Sequence, residues 1–186
     1  MTRIFRYILR HDNGMAPCID KGLVSLATCK PKIRGSAQPG DWVVGFCPRE
    51  PRGLVAWAGR ISRRVEIADY EEKFRGRSDA VYRAKRNGEF KRLRPDYHTA
   101  ANDIRKDISA PVLVFDPAST WYFGNEPQML SASLMSLAAK GRGYRVNGTV
   151  DDDPASMQAW LLKTAPPGIH GTPRHLPLPT APTRKC

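Results

Sequence analysis

Apolar residues come in short runs separated by polar corners. Ile4-Phe5-Arg6-Tyr7-Ile8-Leu9 and Leu23-Val24-Ser25-Leu26-Ala27 are rich in β-formers, which predicts strands over 3–10 and 23–28. Asn13-Gly14, Pro17 and Gly22 make the stretch between them a loop. Pro31 opens a predicted helix of one or two turns over 31–37, and Gly40-Asp41 turns the chain into a strand over 42–47. From Leu54 to Ile67, Val55, Trp57, Gly59 and Ile61 alternate with Arg60, Ser62 and Arg64, giving a long strand with one apolar and one basic face. A short helix is predicted over 69–74. Residues 75–106 are highly charged and lack a sustained period, so they read as a long functional loop holding one short strand over 79–83.

Beyond the loop, 110–115 reads as a buried strand, with Trp121-Tyr122-Phe123-Gly124 as a second aromatic run behind it. Leu130, Leu134, Leu137 and Ala138 recur at helical spacing over 129–139, and Gly141 ends that pattern. A strand over 144–150 and a helix from Asp153-Pro154 through Leu162 follow. Six of the 21 residues from Pro166 onward are proline, which predicts a tail without regular structure. The expected organisation is a single α+β domain over 1–165 and a Pro-rich tail over 166–186. Its sheet is curved, mostly antiparallel and partly barrel-shaped, with short flanking helices.

Charge changes this picture. Thirty Lys and Arg against 18 Asp and Glu give a net charge of +12, of which +11 lies in the first 106 residues. That asymmetry points to a basic face for polyanions, nucleic acid or nucleotides first. No run approaches the roughly 18 uncharged apolar residues of a membrane span. The start of the chain reads as a strand and carries no cleavage-site pattern, so a cytoplasmic protein with reduced thiols is expected. Cys18, Cys29, Cys47 and Cys186 form no CxxC pair, and no metal or cofactor is expected. The phosphate-cradling patterns GxGxxG and GxxxxGK[ST] are absent.

The candidate chemistry gathers at strand ends, where rigid elements present side chains to ligands. In His11-Asp12-Asn13-Gly14, Asp12 and Asn13 offer an acceptor and an amide for a base edge, or alternatively bond their own turn. Cys29 stands at a strand-to-helix junction beside Lys30, as a nucleophile or as a packed strand-end thiol. Lys30 and Arg34 are candidate phosphate ligands at the helix mouth. Asp41 and Trp42 open the third strand, and the indole either stacks on a base or fills the core. Tyr122 has the same two readings. His98, near Tyr97 and Asp96, is either a solvent-exposed loop residue or forms acid–base machinery if the fold brings it to Asp107 and His11.

The pattern His-Asp-Asn-Gly-x-Ala-Pro (11–17), Leu-Ala-Thr-Cys-Lys-Pro-x-Ile-Arg (26–34) and Gly-Asp-Trp-Val-x-Gly (40–45), continued by Asp79…Tyr82, His98 and Tyr122-Phe123-Gly124, resembles nucleotide modification associated domain 2. An Asp-Asn-x-Tyr element reads Asp79-Ala80-Val81-Tyr82 here. Gly168-Ile-His-Gly171-Thr-Pro173 matches a Gly-x-x-Gly-x-Pro element near the end of such chains. The resemblance implies a bacterial or phage protein linked to modified DNA bases. A looser similarity to PUA-like modified-base readers implies a base pocket. On these grounds the first expectation is a nucleic-acid or nucleotide binding module. Its pocket residues would be Asp12, Asn13, Lys30, Arg34, Asp41, Trp42, Tyr82 and Tyr122. The alternative is an enzyme of nucleotide or base modification that draws on His11, Asp12, Cys29, Lys30 and His98.

Overall fold

The apolar runs become strands of one large sheet in a computed structural model that describes residues 2–175 apart from 49, 95, 96, 99, 142 and 148–152. In chain order, β1 (Ile4–Ile8), β2 (Cys18–Asp20) and β3 (Leu23–Leu26) precede α1 (Pro31–Ser36), β4 (Trp42–Phe46) and β5 (Leu54–Val65). Then come α2 (Ile67–Lys73), β6 (Tyr82–Ala84), β7 (Phe90–Arg92), α3 (Ala101–Ile108) and β8 (Val112–Tyr122). The chain continues through β9 (Gln128–Met129), a 3-10 helix (Ala132–Leu137), β10 (Tyr144–Val146), α4 (Asp153–Thr164) and β11 (Gly168–Ile169).

The main path of the sheet runs β10-β1-β4-β5-β8-β3-β2, with β11 added to β8 and β9 to β5, while β6 and β7 form a separate hairpin. Pairing is antiparallel except for β1 with β4 and β11 with β8. The excursion through β2, β3 and α1 is the crossover that lets β1 and β4 lie parallel. The expected α+β class and mostly antiparallel sheet are therefore present. The sheet is only weakly curved and does not close into a barrel. Its end strands β2 and β10 have three residues each, too few to carry a closing ladder.

Strand β4 is buried on both faces, and its side chains alternate between two cores. One core joins Trp42, Val44 and Phe46 to Trp121, Leu137, Met157 and Leu161, beneath the 3-10 helix and α4. The other joins Val43 to Phe5, Tyr7, Leu26, Ile33, Trp57 and Phe115, beneath α1. At Gly45 a Cβ would stand 2.3 Å from Trp57 Nε1, so only glycine admits that indole. Trp57 Nε1 in turn donates to the Tyr7 hydroxyl at 3.1 Å.

Three segments differ from expectation. Residues 75–106 hold a hairpin and most of α3, because Ile104 and Ile108 pack with Tyr70, Val81 and Tyr82 in a third core despite the surrounding charge. The apolar period over 129–139 becomes β9 and a 3-10 helix instead of an α-helix. The two runs at 110–115 and 121–124 meet in the single strand β8, whose pairing with β5 skips from Phe115 to Thr120. Asp116, Pro117 and Ala118 bulge out there, which is how a proline is accommodated within a strand. In the tail, β11 pairs with Trp121 and Tyr122. Asp96, Cys186 and residues 176–186 lie outside the described residues, as does the 148–150 part of the strand expected over 144–150. Among the described residues, no helix is long and apolar enough to cross a membrane.

Candidate functional site

Strand β3 ends at Leu26, and the next residues turn sharply into α1. Cys29 and Lys30 both sit in the left-handed region, with φ of 58° and 43°. Consecutive non-glycine residues there store strain, which is commonly retained at functional positions. Pro31 then starts the helix, and the turn leaves Cys29 facing a cavity of about 730 Å³. Tyr7, Arg10, Lys30, Lys32, Tyr97 and His98 are among its walls, and among the described residues no carboxylate lines it.

Three elements meet behind the thiol. Cys29 Sγ lies 3.4 Å from His98 Nε2, and His98 Nδ1 lies 2.6 Å from Asp107 Oδ2. Asp107, at the end of α3, is 1 % exposed. Its Oδ2 also accepts from the Tyr82 hydroxyl at 2.8 Å, and its Oδ1 accepts from the Cys29 backbone N–H at 2.8 Å. A carboxylate accepting all these bonds places the proton of a neutral His98 on Nδ1, leaving the Nε2 lone pair toward the thiol. His98 is itself in the left-handed region and stacks on Tyr97 with ring centroids 4.0 Å apart. The Tyr97 hydroxyl is 3.1 Å from Thr28 Oγ1 and 3.9 Å from Cys29 Sγ.

Arg34 holds this assembly together from within the protein. It is fully buried, and its guanidinium donates to the carbonyls of Cys29, Asp107, Ala110 and Pro111. The turn bearing Cys29 is thereby tied to the end of α3 bearing Asp107. Five donors in a rigid fork suit this task, which a lysine would not perform.

The electrostatics favour a protonated resting thiol. Burial is the largest influence on Cys29 and pushes its pKa up, and the charge of Asp107 acts the same way. The Tyr97 hydroxyl, Lys30 and Arg34 oppose this without reversing it. Burial likewise raises Tyr82 and Tyr97, so both hydroxyls remain donors. Lys30 is lowered by burial, with Arg10 adding to the effect, and its Nζ rests 4.6 Å from the centroid of the Tyr7 ring. A thiol beside an imidazole oriented by a buried carboxylate is chemically equipped as a nucleophile with its base.

The structure distributes the sequence-derived candidates unevenly. His11, Asn13, Cys29, Lys30 and His98 line the cavity. Arg34 and Tyr82 lie behind it, on carbonyls and on Asp107. Asp12 is instead buried in a second cluster, where Oδ1 accepts from Tyr122 at 2.6 Å and Oδ2 from the Arg174 side chain at 3.4 Å. Tyr122 is wholly buried there. Asp41 is clamped by Arg3 and by the Gln38 N–H, and Trp42 stacks on Trp121 inside the core. Neither contributes to the cavity lining. Sequence reading did not single out Tyr7, Arg10, Lys32 or Tyr144 as lining residues, nor Arg174 as the partner of Asp12. Arg10 and Lys32 flank the two selected motifs, and proximity to those motifs is the signal that could have raised them.

Among the described residues, no group of three or more His, Cys, Asp or Glu is arranged to hold a metal ion. Neither the curated proteins nor the solved structures include a match to this chain. The family model of nucleotide modification associated domain 2 matches residues 1–178. The chain carrying this Cys29–His98–Asp107 arrangement belongs to the nucleotide modification associated domain 2 family.

Proposed function

We propose that this protein is an enzyme of nucleotide or nucleic-acid base modification that works through a covalent intermediate on Cys29. The observation that carries the reading is the continuous path from Cys29 Sγ to His98 (3.4 Å) to Asp107 (2.6 Å) at the wall of an open cavity. Arg10, Lys30 and Lys32 around it suit the phosphate of a nucleotide. A cavity of about 730 Å³ falls within the size range of small-ligand sites.

The step follows from the protonation states. His98 Nε2 takes the proton of the Cys29 thiol as Sγ bonds to an electrophilic carbon of the base or its substituent. The bond from that carbon to the leaving group breaks, and His98 returns the proton to the departing atom. An incoming water or amine, deprotonated by His98, then attacks the carbon and breaks its bond to Sγ, and His98 returns that proton to Sγ to restore the thiol. The sequence consumes no oxidant or reductant. Asp107 keeps the imidazole oriented and stabilises its cationic form, while Tyr82 and Arg34 position Asp107 and the Cys29 turn.

A base reader built on Asp12, Trp42 and Tyr122 finds less support, since all three are buried and engaged with protein groups. The enzyme reading is tested by alkylating the native protein with iodoacetamide and mapping the product by peptide mass spectrometry. Cys29 is expected to react faster than Cys18 and Cys47, and the common deoxynucleoside monophosphates are expected to slow it several-fold. Reaction no faster than at the other two thiols, or indifference to nucleotide, would overturn it.

A further inference from the structure

A second cavity of about 530 Å³ adjoins the first and shares Ile8, Arg10, His11 and Gly141 with it. Arg52 and Lys140 line the second cavity as Lys30 and Lys32 line the first, and Arg10 belongs to both. Among the described residues, Glu50 is the one carboxylate lining the pair of cavities, and it is already bonded to Arg52 at 2.9 Å. Among the described residues, none of Arg10, Lys30, Lys32 and Lys140 is in a salt bridge. The cations are thus divided between two adjoining cavities, with Arg10 common to both.

We infer that the site takes a single-stranded segment of nucleic acid, with one nucleotide in the Cys29 cavity, its neighbour in the adjoining cavity and the linking phosphate at Arg10. The inference rests on the reading of the Cys29 cavity as a nucleotide site and extends it from a monomer to a strand. A free mononucleotide places its charge at one end and fills one cavity. A nucleoside triphosphate carries enough charge to meet cations of both cavities. The second cavity, however, has apolar wall from Ile8, Phe46, Pro48 and Ala139, which receives a base or sugar better than a phosphate. Linked occupancy of two subsites raises affinity without new contacts, since the second nucleotide binds intramolecularly. The base to be modified must be unstacked for Cys29 to reach it, as in other enzymes that act on bases within a chain.

Protection of Cys29 from iodoacetamide separates the alternatives. The probes are deoxynucleoside monophosphates, deoxynucleoside triphosphates and a short single-stranded oligodeoxynucleotide of mixed sequence. The oligonucleotide is expected to protect at a concentration at least about tenfold lower than either mononucleotide class. Lys140→Ala, at an exposed position, is expected to raise the oligonucleotide requirement several-fold and make its salt dependence shallower. The same substitution should shift monophosphate protection by less than about twofold, because the monophosphate occupies the other cavity. Equal protection by monophosphate and oligonucleotide overturns the strand inference alone, as does a triphosphate that equals the oligonucleotide. Failure of all three probes to protect removes the nucleotide-site reading and this inference with it.

Discussion

Two of the buried aspartates, Asp107 and Asp12, are built in nearly the same way and have different surroundings. Asp107 accepts from a tyrosine hydroxyl and pairs with a basic side chain, His98. Asp12 accepts from a tyrosine hydroxyl and pairs with a basic side chain, Arg174. Both residues are 1 % exposed. The difference is the base. His98 has a second ring nitrogen, and that nitrogen faces a thiol on a cavity. Arg174 has only donors, and it spends another on the Leu9 carbonyl at 2.7 Å. One aspartate therefore transmits orientation to a reactive group. The other fastens the C-terminal segment to the sheet.

The fastening is tight. At Gly124 and at Gly171 a Cβ would stand 2.1 Å from the Thr172 and Phe123 carbonyl oxygens respectively, so two backbones meet where side chains are excluded. The His175 N–H donates to the Asp12 carbonyl at 2.8 Å, and the Asp12 N–H is 3.0 Å from His175 Nδ1. These contacts rest on the Gly-x-x-Gly-x-Pro element and place Arg174 on Asp12.

The comparison can be broken most sharply at Arg174. Arg174→Met leaves the Asp12 carboxylate buried without its cation, and a loss of about 3–5 kcal/mol of stability is expected by chemical denaturation. His98→Ala, at the edge of an open cavity, should cost less, about 1–2 kcal/mol in the same measurement, because Asp107 keeps its bonds from Tyr82 and the Cys29 N–H. Similar losses for the two substitutions would erase the distinction between anchor and reactive centre. A smaller effect belongs to Lys30→Ala. It is expected to weaken monophosphate protection of Cys29 by about tenfold or less, with a shallower salt dependence and no change in fold by circular dichroism.

Much of the sheet was legible because its strands are written as short runs of β-forming apolar residues bounded by polar corners. β1, β4, β5 and α4 fall within a few residues of their expected limits. Cys29 and Lys30 were legible as a strand-to-helix junction. What placed His98 and Asp107 beside Cys29 was not. Residues 75–106 are dominated by charge, and the two isoleucines that seat α3 are too sparse to reveal a period. Trp42 and Tyr122 illustrate the opposite problem. An aromatic side chain in a strand reads equally as core or as a stacking surface, and only the sheet's second covering layer decides between them. Asp12 and Arg34 are charged residues that the sequence presents as ligands. Burial against a distant arginine in one case and a row of carbonyls in the other makes them fasteners.

The most direct test of the central claim is the pH profile of Cys29 alkylation by iodoacetamide in the native protein and in His98→Ala. Burial raises the Cys29 pKa, so the thiol remains protonated at neutral pH and its reaction there depends on His98 as base. A neutral-pH rate about 100-fold lower is expected in His98→Ala, recovering only as pH rises beyond the ordinary thiol range. Matching profiles in the two proteins would contradict it.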